Sequence, residues 1–389
     1  MKRRDFLVCA AALPWAWPGF AATPAERAAD LLADTVRDGL SPGAALVASG
    51  KGVVKIQQAC GTYCSLRERA AQLTLETLHP LYSFSKLITG TVVAMTIQAG
   101  RLDYGDPVSK HIPEFTGEGR EKVTLRHCLT HAAGLAKAPS SAVSDEAGWK
   151  AAVEKLCQYP LEWTPGSRTS YHGWSGAFLA AECVRRVSGG RPWPELCREK
   201  LFAPLGAKTL SFEWPEADQP WALVPQPNAE KPLPKSGKEA FSSMGQPGAG
   251  CLGTLPDALK VLQLHLQEGV WNAKRLIPRE VFRQMHTNQF EREIATARAA
   301  GVPSTFEPWG LGLLLRGDGP ATASHQWFGF ADQASPRTFG HAGIDTLIGV
   351  GDLQSQVALV FATTNSPKPP AKTISLRNQV TNFVFKSLA

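Results

Sequence analysis

Hydrophobic positions near the start of the chain first follow a helical period and then alternate with polar positions. Residues 24 to 38 have the period of an amphipathic helix, and Gly39 follows where such a helix would stop. Residues 43 to 63 alternate and are interrupted at "SGKG", which is typical of two antiparallel strands joined by a turn. The pattern predicts a helix followed by a β-hairpin.

The middle of the chain has a different pattern, with helical stretches separated by proline and glycine. They include "VTLRHCLTHAAGL", "AGWKAAVEKLCQ" and "SGAFLAAECVRRVSGG". Residues 222 to 238 are rich in proline and lysine and predict a loop. Beyond a further helix, "LPDALKVLQLHLQEG", strand patterns return in "WGLGLLLRG", "TFGHAGID", "TLIGVGD" and "QVALVFATTN", and a final helix, "TISLRNQVTNFVFKSL", closes the chain.

Strands therefore lie towards both ends of the chain and helices lie between them. The expected fold class is α+β: an antiparallel sheet flanked by the terminal helices, with a mainly α-helical domain inserted. We expect residues 22–100 and 236–389 to form the α/β sheet domain and residues 101–235 to form the helical domain. A chain of 389 residues is long enough for this division.

The first 21 residues have the character of an export signal. Arg3 and Arg4 precede an apolar run that contains Pro14 and Pro18, and small residues follow it. The paired arginines indicate the twin-arginine type. We expect a bacterial periplasmic or secreted protein, without a stable membrane span once the signal is removed. The net charge of +7 is spread along the chain, so nucleic-acid binding is not expected.

Cysteine and histidine positions raise the possibilities of disulfide pairing and of a metal site, and the sequence disfavours both. Eight cysteines less Cys9 in the signal leave seven, an odd number that is not typical of a disulfide scaffold. Cys60 and Cys64 could pair across a turn, but small buried thiols are the more common case. The motif "RHCLTH" contains two histidines and a cysteine, His127, Cys128 and His131, yet no other cluster supplies the remaining ligands of a closed zinc site.

The segment "PLYSFSKLITG", residues 80 to 90, contains the strongest candidate chemistry. Ser83 and Lys86 are three positions apart, so on a helix they share a face. A lysine amine beside a serine hydroxyl can make that hydroxyl a nucleophile. Ser85 is the competing candidate, but it is adjacent to Lys86 and faces another direction. The alternative interpretation is an N-cap serine with a lysine whose stem is buried.

Two later segments add candidates of the same kind. Tyr171 precedes a predicted helix, where it could transfer protons if a neighbouring ammonium lowered its pKa. His341 lies between glycines beside a predicted strand, and Gly343 allows another backbone or a ligand to approach closely. Alone, each residue is more often structural, but three such elements in this order are unlikely to coincide.

The set resembles the serine β-lactamase and penicillin-binding superfamily, in particular the class C β-lactamase-like branch with family VIII esterases, D-aminopeptidases and DD-peptidases. Ser83-Phe84-Ser85-Lys86 matches its Ser-x-x-Lys, Tyr171 matches the Tyr of Tyr-x-Asn, and His341-Ala342-Gly343 matches Lys/His-x-Gly. The resemblance implies an acyl-enzyme mechanism with Ser83 as the nucleophile and no metal or organic cofactor. It also implies that the backbone N–H groups of Ser83 and Ile344 bind the oxyanion.

The chain departs from this pattern at two positions. Gly173 replaces the Asn of Tyr-x-Asn, and His341 replaces a lysine whose charge a protonated histidine would supply only in part. Both changes favour a small ester, amide or peptide substrate over penicillins. The alternatives are a β-lactamase or D-Ala-D-Ala carboxypeptidase, a penicillin- or cell-wall-peptide-binding protein without turnover, and a structural or partner-binding domain with a decayed site.

Overall fold

The computed structural model describes residues 22–138, 143, 145–215, 221–222, 233, 235–236, 241–319, 325, 328–344, 346–367 and 369–389. The predicted export signal lies outside these residues, and so does most of the predicted loop at 222 to 238. In the described part of the chain, no helix combines the length and apolar character that crossing a membrane requires.

Strands lie towards both ends of the chain, with one helix before the first strand and one after the last. The helices are α1 (Pro24–Arg37), α2 (Ser85–Ile97), α3 (Val108–His111), α4 (Leu125–Leu129), α5 (Glu146–Gln158), α6 (Ser175–Val187), α7 (Trp193–Cys197), α8 (Ala203–Leu205), α9 (Leu255–Leu266), α10 (Arg279–Met285), α11 (Glu291–Ala299) and α12 (Pro370–Leu388). The strands are β1 (Gly43–Gly50), β2 (Val53–Tyr63), β3 (Ala71–Gln72), β4 (His79–Pro80), β5 (Leu252–Gly253), β6 (Val270–Trp271), β7 (Lys274–Arg275), β8 (Leu314–Leu315), β9 (Thr338–Gly343), β10 (Leu347–Asp352) and β11 (Val357–Thr363).

Seven strands form the main sheet in the order β3-β2-β1-β11-β10-β9-β8, and the neighbours that pair along it are antiparallel. The first long strand therefore pairs with the last, in a register that runs from Ala44 opposite Thr363 to Gly50 opposite Val357. The predicted α+β class is confirmed, and the described residues between 101 and 235 contain helices but no strand of this sheet. The exact domain boundaries stay a prediction.

The sheet is buried on both faces, which explains why β1 consists almost entirely of small and apolar residues. Leu46 points to the face covered by α1 and α12, where it joins a core with Leu32 and Val384. Val47 points to the opposite face and packs in the larger core with Phe84. Successive side chains of a strand alternate between faces, so both must be apolar here. The larger core continues into the helical region, where its residues pack around α2.

Local details differ from the sequence prediction where glycine or a left-handed residue turns the chain. The predicted helix in "VTLRHCLTHAAGL" is only the five residues of α4 and ends just before His131, whose φ is 59°. The strand predicted in "WGLGLLLRG" is reduced to Leu314–Leu315. There Gly312 has φ 88°, and a Cβ on it would lie 2.9 Å from Gly90 Cα, so this segment is bent against α2.

Two observations on the described residues bear on the cysteine and histidine positions. Cys60 and Cys64 are thiols and are not joined by a disulfide. No group of three or more His, Cys, Asp or Glu side chains in the described part of the chain has the arrangement of a metal site.

Candidate active site

Ser83 lies in a tight turn directly before α2. Residues Tyr82–Phe84 form a single 3-10 turn, and the α-helix continues from Ser85. This places Lys86 on the first turn of α2, with its Nζ 3.1 Å from Ser83 Oγ. The predicted Ser-x-x-Lys pair is therefore in hydrogen-bond contact. Ser83 precedes the helix by two positions, rather than starting it.

Lys86 is held by two backbone carbonyls in addition to Ser83. Its Nζ donates to Gly173 O at 2.7 Å and to Gly248 O at 2.8 Å, so each of the three ammonium hydrogens has an acceptor. Only 3% of the residue is exposed to solvent. Burial penalises the charged form and lowers the pKa of Lys86 to about 7.

Ser85, the competing nucleophile, has a structural role. It is fully buried, and its Oγ accepts a hydrogen bond from the backbone N–H of Cys251 at 3.1 Å. This bond ties α2 to the segment that carries Gly248. Ser85 thus supports the acceptors of Lys86 from a different face of the helix.

Tyr171 contacts the Ser83–Lys86 pair from the loop before α6. Its hydroxyl is hydrogen-bonded to Ser83, and Lys86 Nζ is 4.9 Å from the centre of its ring. The buried surroundings of the hydroxyl raise the pKa of Tyr171 above its ordinary value, and the hydrogen bond with Ser83 opposes this only in part. The outer part of the ring remains accessible, since 42% of the residue is exposed. Tyr171 is therefore protonated and borders the solvent-facing side of the site.

His341, on β9, lies opposite Tyr171 with 6.0 Å between the ring centres. Burial and the nearby Lys86 lower the pKa of His341 to about 3, although the hydrogen bond with Ala342 O acts in the opposite direction. Nδ1 makes that bond at 2.9 Å, whereas Nε2 is buried and has no partner among the described residues. His341 is consequently neutral at physiological pH and does not supply even part of a lysine's charge.

Gly343 allows the end of β9 to approach the turn that carries Ser83. A Cβ at position 343 would lie 2.5 Å from the carbonyl oxygen of Leu81, so any other residue would push the two segments apart. The close approach predicted at this glycine is therefore to another backbone. Ile344 follows with φ 33°, and 53% of it is exposed.

Two further residues beside the site also adopt left-handed backbone conformations. Tyr82 has φ 44° and His131 has φ 59°. Non-glycine residues rarely occupy this region, and such strain is concentrated at functional sites because the surrounding structure must enforce it. Tyr82 immediately precedes Ser83, so its conformation contributes directly to where the serine points.

Sequence reasoning missed several parts of the site. The carbonyl of Gly248 could not have been found, because backbone acceptors leave no residue-type signal. An aromatic wall of His131, Trp309 and Phe328 packs around Tyr171 and His341, with ring-centre distances from 4.3 to 6.2 Å. His172 faces away from Lys86, because its Nε2 accepts from the backbone N–H of Leu135 at 3.0 Å.

A family model described as Beta-lactamase matches residues 28–381 of the chain. The chain belongs to the beta-lactamase family. This is a family of serine hydrolases with esterase, carboxypeptidase and beta-lactamase members, and the resemblance inferred from the three motifs is confirmed.

Relatives within the beta-lactamase family carry different activities in their names. Esterase EstB of Burkholderia gladioli is 26% identical over 64% of this chain and 72% of its own length. An Escherichia coli K12 protein named as a D-alanyl-D-alanine carboxypeptidase is 25% identical over 78% of this chain and 73% of its own. A beta-lactamase of Yersinia enterocolitica is 26% identical over 50% of this chain, and the match spans about half (48%) of that relative.

Solved structures support the same fold. A penicillin-binding protein homologue from Caulobacter crescentus has a TM-score of 0.73 at 21% identity and covers 95% of this chain and 99% of its own. A family VIII carboxylesterase has a TM-score of 0.72 at 22% identity, covering 93% and 99%. At these identities the likeness establishes the beta-lactamase fold, while substrate preference must be argued from the site.

Proposed function

We propose that this protein is an exported serine hydrolase that cleaves small esters or peptide-like amides through an acyl-enzyme on Ser83. The observation that carries the proposal is the contact between Ser83 Oγ and a buried lysine whose pKa is lowered to about 7. A lysine in this state is a substantial fraction neutral near physiological pH, and a neutral amine can accept the serine proton.

The two carbonyls around Lys86 also orient it as a base. A neutral amine has two N–H groups and one lone pair, and a carbonyl oxygen can only accept a hydrogen bond. Gly173 O and Gly248 O therefore engage the two hydrogens, and the lone pair is directed at Ser83. Tyr171 keeps its proton under the same conditions, since its pKa is raised. The lowered pKa of Lys86 and the raised pKa of Tyr171 favour Lys86 as the base in the free enzyme.

The proposed reaction has two steps. Ser83 Oγ attacks the substrate carbonyl while its proton moves to Lys86, and the backbone N–H groups of Ser83 and Ile344 bind the oxyanion, as the family resemblance implies. The Tyr171 hydroxyl then protonates the leaving group, and the proton held by Lys86 replaces it. Water attacks the acyl-enzyme in the second step and releases the acid, which regenerates Ser83. His341 lines the leaving-group side as a neutral acceptor.

The substrate class follows from two missing groups, a fixed positive charge at position 341 and a side-chain amide at position 173. Neutral His341 does not attract a substrate carboxylate, and Gly173 has no side-chain amide with which to bind an acylamino group. Penicillins carry both groups. A small neutral ester, by contrast, needs only the nucleophile, the base and the oxyanion donors.

Export is the second component of the proposal and rests on residues 1–21. We propose a periplasmic or secreted location, because the paired arginines and the short apolar run have the form of a twin-arginine signal. Fractionation of cells that express the full chain and an R3K/R4K double variant tests this. Loss of the periplasmic fraction in the variant is expected, and an unchanged distribution would contradict it.

The deciding experiment is intact-protein mass spectrometry combined with an absorbance assay. Wild type and Ser83→Ala are exposed to a short p-nitrophenyl ester and, separately, to a penicillin, with Ser85→Ala as a matched control on the neighbouring serine. We expect ester turnover that requires Ser83 and survives Ser85→Ala, with slow or no penicillin turnover. Stable penicillin acylation of Ser83 without ester turnover would instead identify a cell-wall-peptide binder.

A further inference from the structure

A cavity away from the Ser83 site lies beside α10. Its volume is about 490 Å³. Its walls come from α10 and the two residues after it, the turn that follows α9, the loop before β9 and the residue after β10. Side chains that line it include Glu268, Arg279, Phe282, Arg283, His286 and Arg337.

A series of buried hydrogen bonds connects helix α2 to His286, which borders this cavity. Thr91 Oγ1 is 2.9 Å from His265 Nε2, and His265 Nδ1 is 2.8 Å from His286 Nε2, whose ring borders the cavity. Thr91 lies five positions after Lys86, which is about 140° around a helix. These hydrogen bonds thus start from a different face of α2 than the one that carries Lys86. The cavity shares no lining residue with the catalytic candidates.

Three guanidinium groups dominate the charge of the cavity. Arg279 and Arg283 are four positions apart and so lie on one face of α10. Arg337 comes from the opposite wall, where its backbone N–H donates to Ser335 Oγ, which in turn donates to Asp352 at 2.6 Å. The backbone of that wall is therefore fixed, while the Arg337 side chain is about half exposed.

Only one carboxylate balances these arginines within the lining. Glu268 is 3.7 Å from Arg337, and Arg283 pairs outside the lining with Glu280 at 3.1 Å. Arg279 makes no ion pair with any described residue. Three arginines against one glutamate leave the lining with a net charge of +2.

His286 adds no charge to this total. Thr91 donates its hydroxyl proton to Leu87 O at 2.7 Å, so it must accept from His265 Nε2, and His265 Nδ1 must then accept from His286 Nε2. This leaves His286 Nδ1 without a proton. Burial, together with His265 and Arg337, lowers the pKa of His286 well below its usual value, which agrees with a neutral ring.

We propose that this cavity is a binding site for a phosphate monoester with a small apolar body. A phosphate monoester carries a charge of about −1.5 to −2 near neutral pH, which matches the lining, and arginine forks suit its oxygens. Pro336, Leu353 and the edge of the buried Phe282 ring also line the cavity and offer apolar contacts for the ester group. The cavity is also large enough for more than an inorganic ion.

Calorimetric titration of the full chain with phenyl phosphate tests the proposal. The Ser83→Ala background removes any reaction at the first site, and the readout is binding, so the outcome does not depend on the proposed hydrolase function. Arg279→Gln and Arg337→Gln are each expected to raise Kd at least about tenfold. Arg292→Gln is the matched control, since Arg292 is an exposed arginine on α11 with the same charge change.

Benzyl alcohol serves as the neutral analogue and is expected to bind at least about tenfold more weakly than phenyl phosphate. The proposal is overturned if phenyl phosphate gives no saturable binding at millimolar concentration. It is also overturned if Arg292→Gln weakens binding as much as the two cavity variants, or if benzyl alcohol binds equally well. Circular dichroism of each variant establishes that the fold is intact.

Discussion

Lys86 and His341 are two buried basic side chains in one site, and burial lowers the pKa of both by a similar amount. Lys86 has an acceptor for every ammonium hydrogen, and its pKa is lowered to about 7. His341 has one backbone partner and an Nε2 with no partner among the described residues, and its pKa is lowered to about 3. The outcomes differ because a lysine amine has a much higher ordinary pKa than an imidazole, so similar burial leaves only Lys86 titrating near neutral pH.

The difference gives the two residues different roles in the proposed mechanism. Lys86 can gain and lose a proton near physiological pH, whereas His341 stays neutral and offers only its shape and a lone pair. A site with one titrating group and no permanent cation is suited to proton transfer on neutral substrates. Variants that exchange or remove these properties test the comparison directly.

The largest effect is expected from Lys86→Met, which keeps the stem volume but removes the base. We expect kcat/KM for a p-nitrophenyl ester to fall by about 10⁴-fold, near the upper range for a general base. The fold should persist, because burying a thioether is less costly than burying an ammonium. Steady-state kinetics measure the loss of kcat/KM, and circular dichroism measures whether the fold persists. Activity within tenfold of wild type would mean that Lys86 is not the base.

Tyr171→Phe is expected to lower kcat by about 10²- to 10³-fold, because the leaving group loses its proton donor while the ring contacts with His131 and Trp309 are kept. The loss should shrink for esters with a good leaving group, such as p-nitrophenol, and grow for alkyl esters. A loss that does not depend on leaving-group basicity would contradict the role of donor.

The pH profile separates Lys86 from His341 without a mutation. The proposed mechanism makes neutral Lys86 the active form, so kcat/KM should rise about tenfold per pH unit below its pKa and level off above about 7. This amounts to about 10²-fold between pH 5 and pH 7. His341 titrates near 3 and adds no inflection in this range. A profile that is flat from pH 5 to pH 8 would refute the assignment of Lys86.

His341→Lys introduces the cation that the site lacks. We expect the preference for an ester with a carboxylate over its neutral counterpart to rise about tenfold, since a charge-assisted hydrogen bond becomes available. His341→Gln is the neutral control and should leave the preference unchanged. If both variants change it equally, the charge at position 341 does not set substrate choice.

The smallest effect is expected at Ser85. Ser85→Ala removes the bond to the N–H of Cys251 but leaves Ser83 and Lys86 in place, so the loss of kcat/KM should be about threefold or less. Thermal unfolding should show a modest decrease in Tm, because a buried backbone donor loses its partner. A loss comparable to that of Ser83→Ala would reverse the assignment of the nucleophile.

Much of the fold could be predicted because its signals are periodic. The helix at the N-terminus, the hairpin of β1 and β2, and the three long strands near the C-terminus all have patterns that match their burial. The short elements could not be predicted in the same way. β8 consists of two residues, since Gly312 bends the chain against Gly90, and contacts between distant glycines have no local pattern.

The side chains of the candidate site could be predicted, but the burial and hydrogen bonds around them could not. Ser83, Lys86, Tyr171 and His341 were found from residue type and spacing, and the structure brings them together. Their ionisation was not predictable, because it depends on two backbone carbonyls and on burial by residues far apart in sequence. His341 shows this, since the sequence allowed a partial charge and its surroundings exclude one.

The pairing of β1 with β11 has a consequence for how the protein is made. The first long strand is translated before Ser83, yet its partner β11 is translated only after His341. Ser83, Tyr171 and His341 all lie between these strands in sequence, so the sheet that positions them closes only after all three have emerged from the ribosome. Nascent chains that stop before residue 357 lack that closure, which makes the assembled site depend on a strand translated later than any of its side chains.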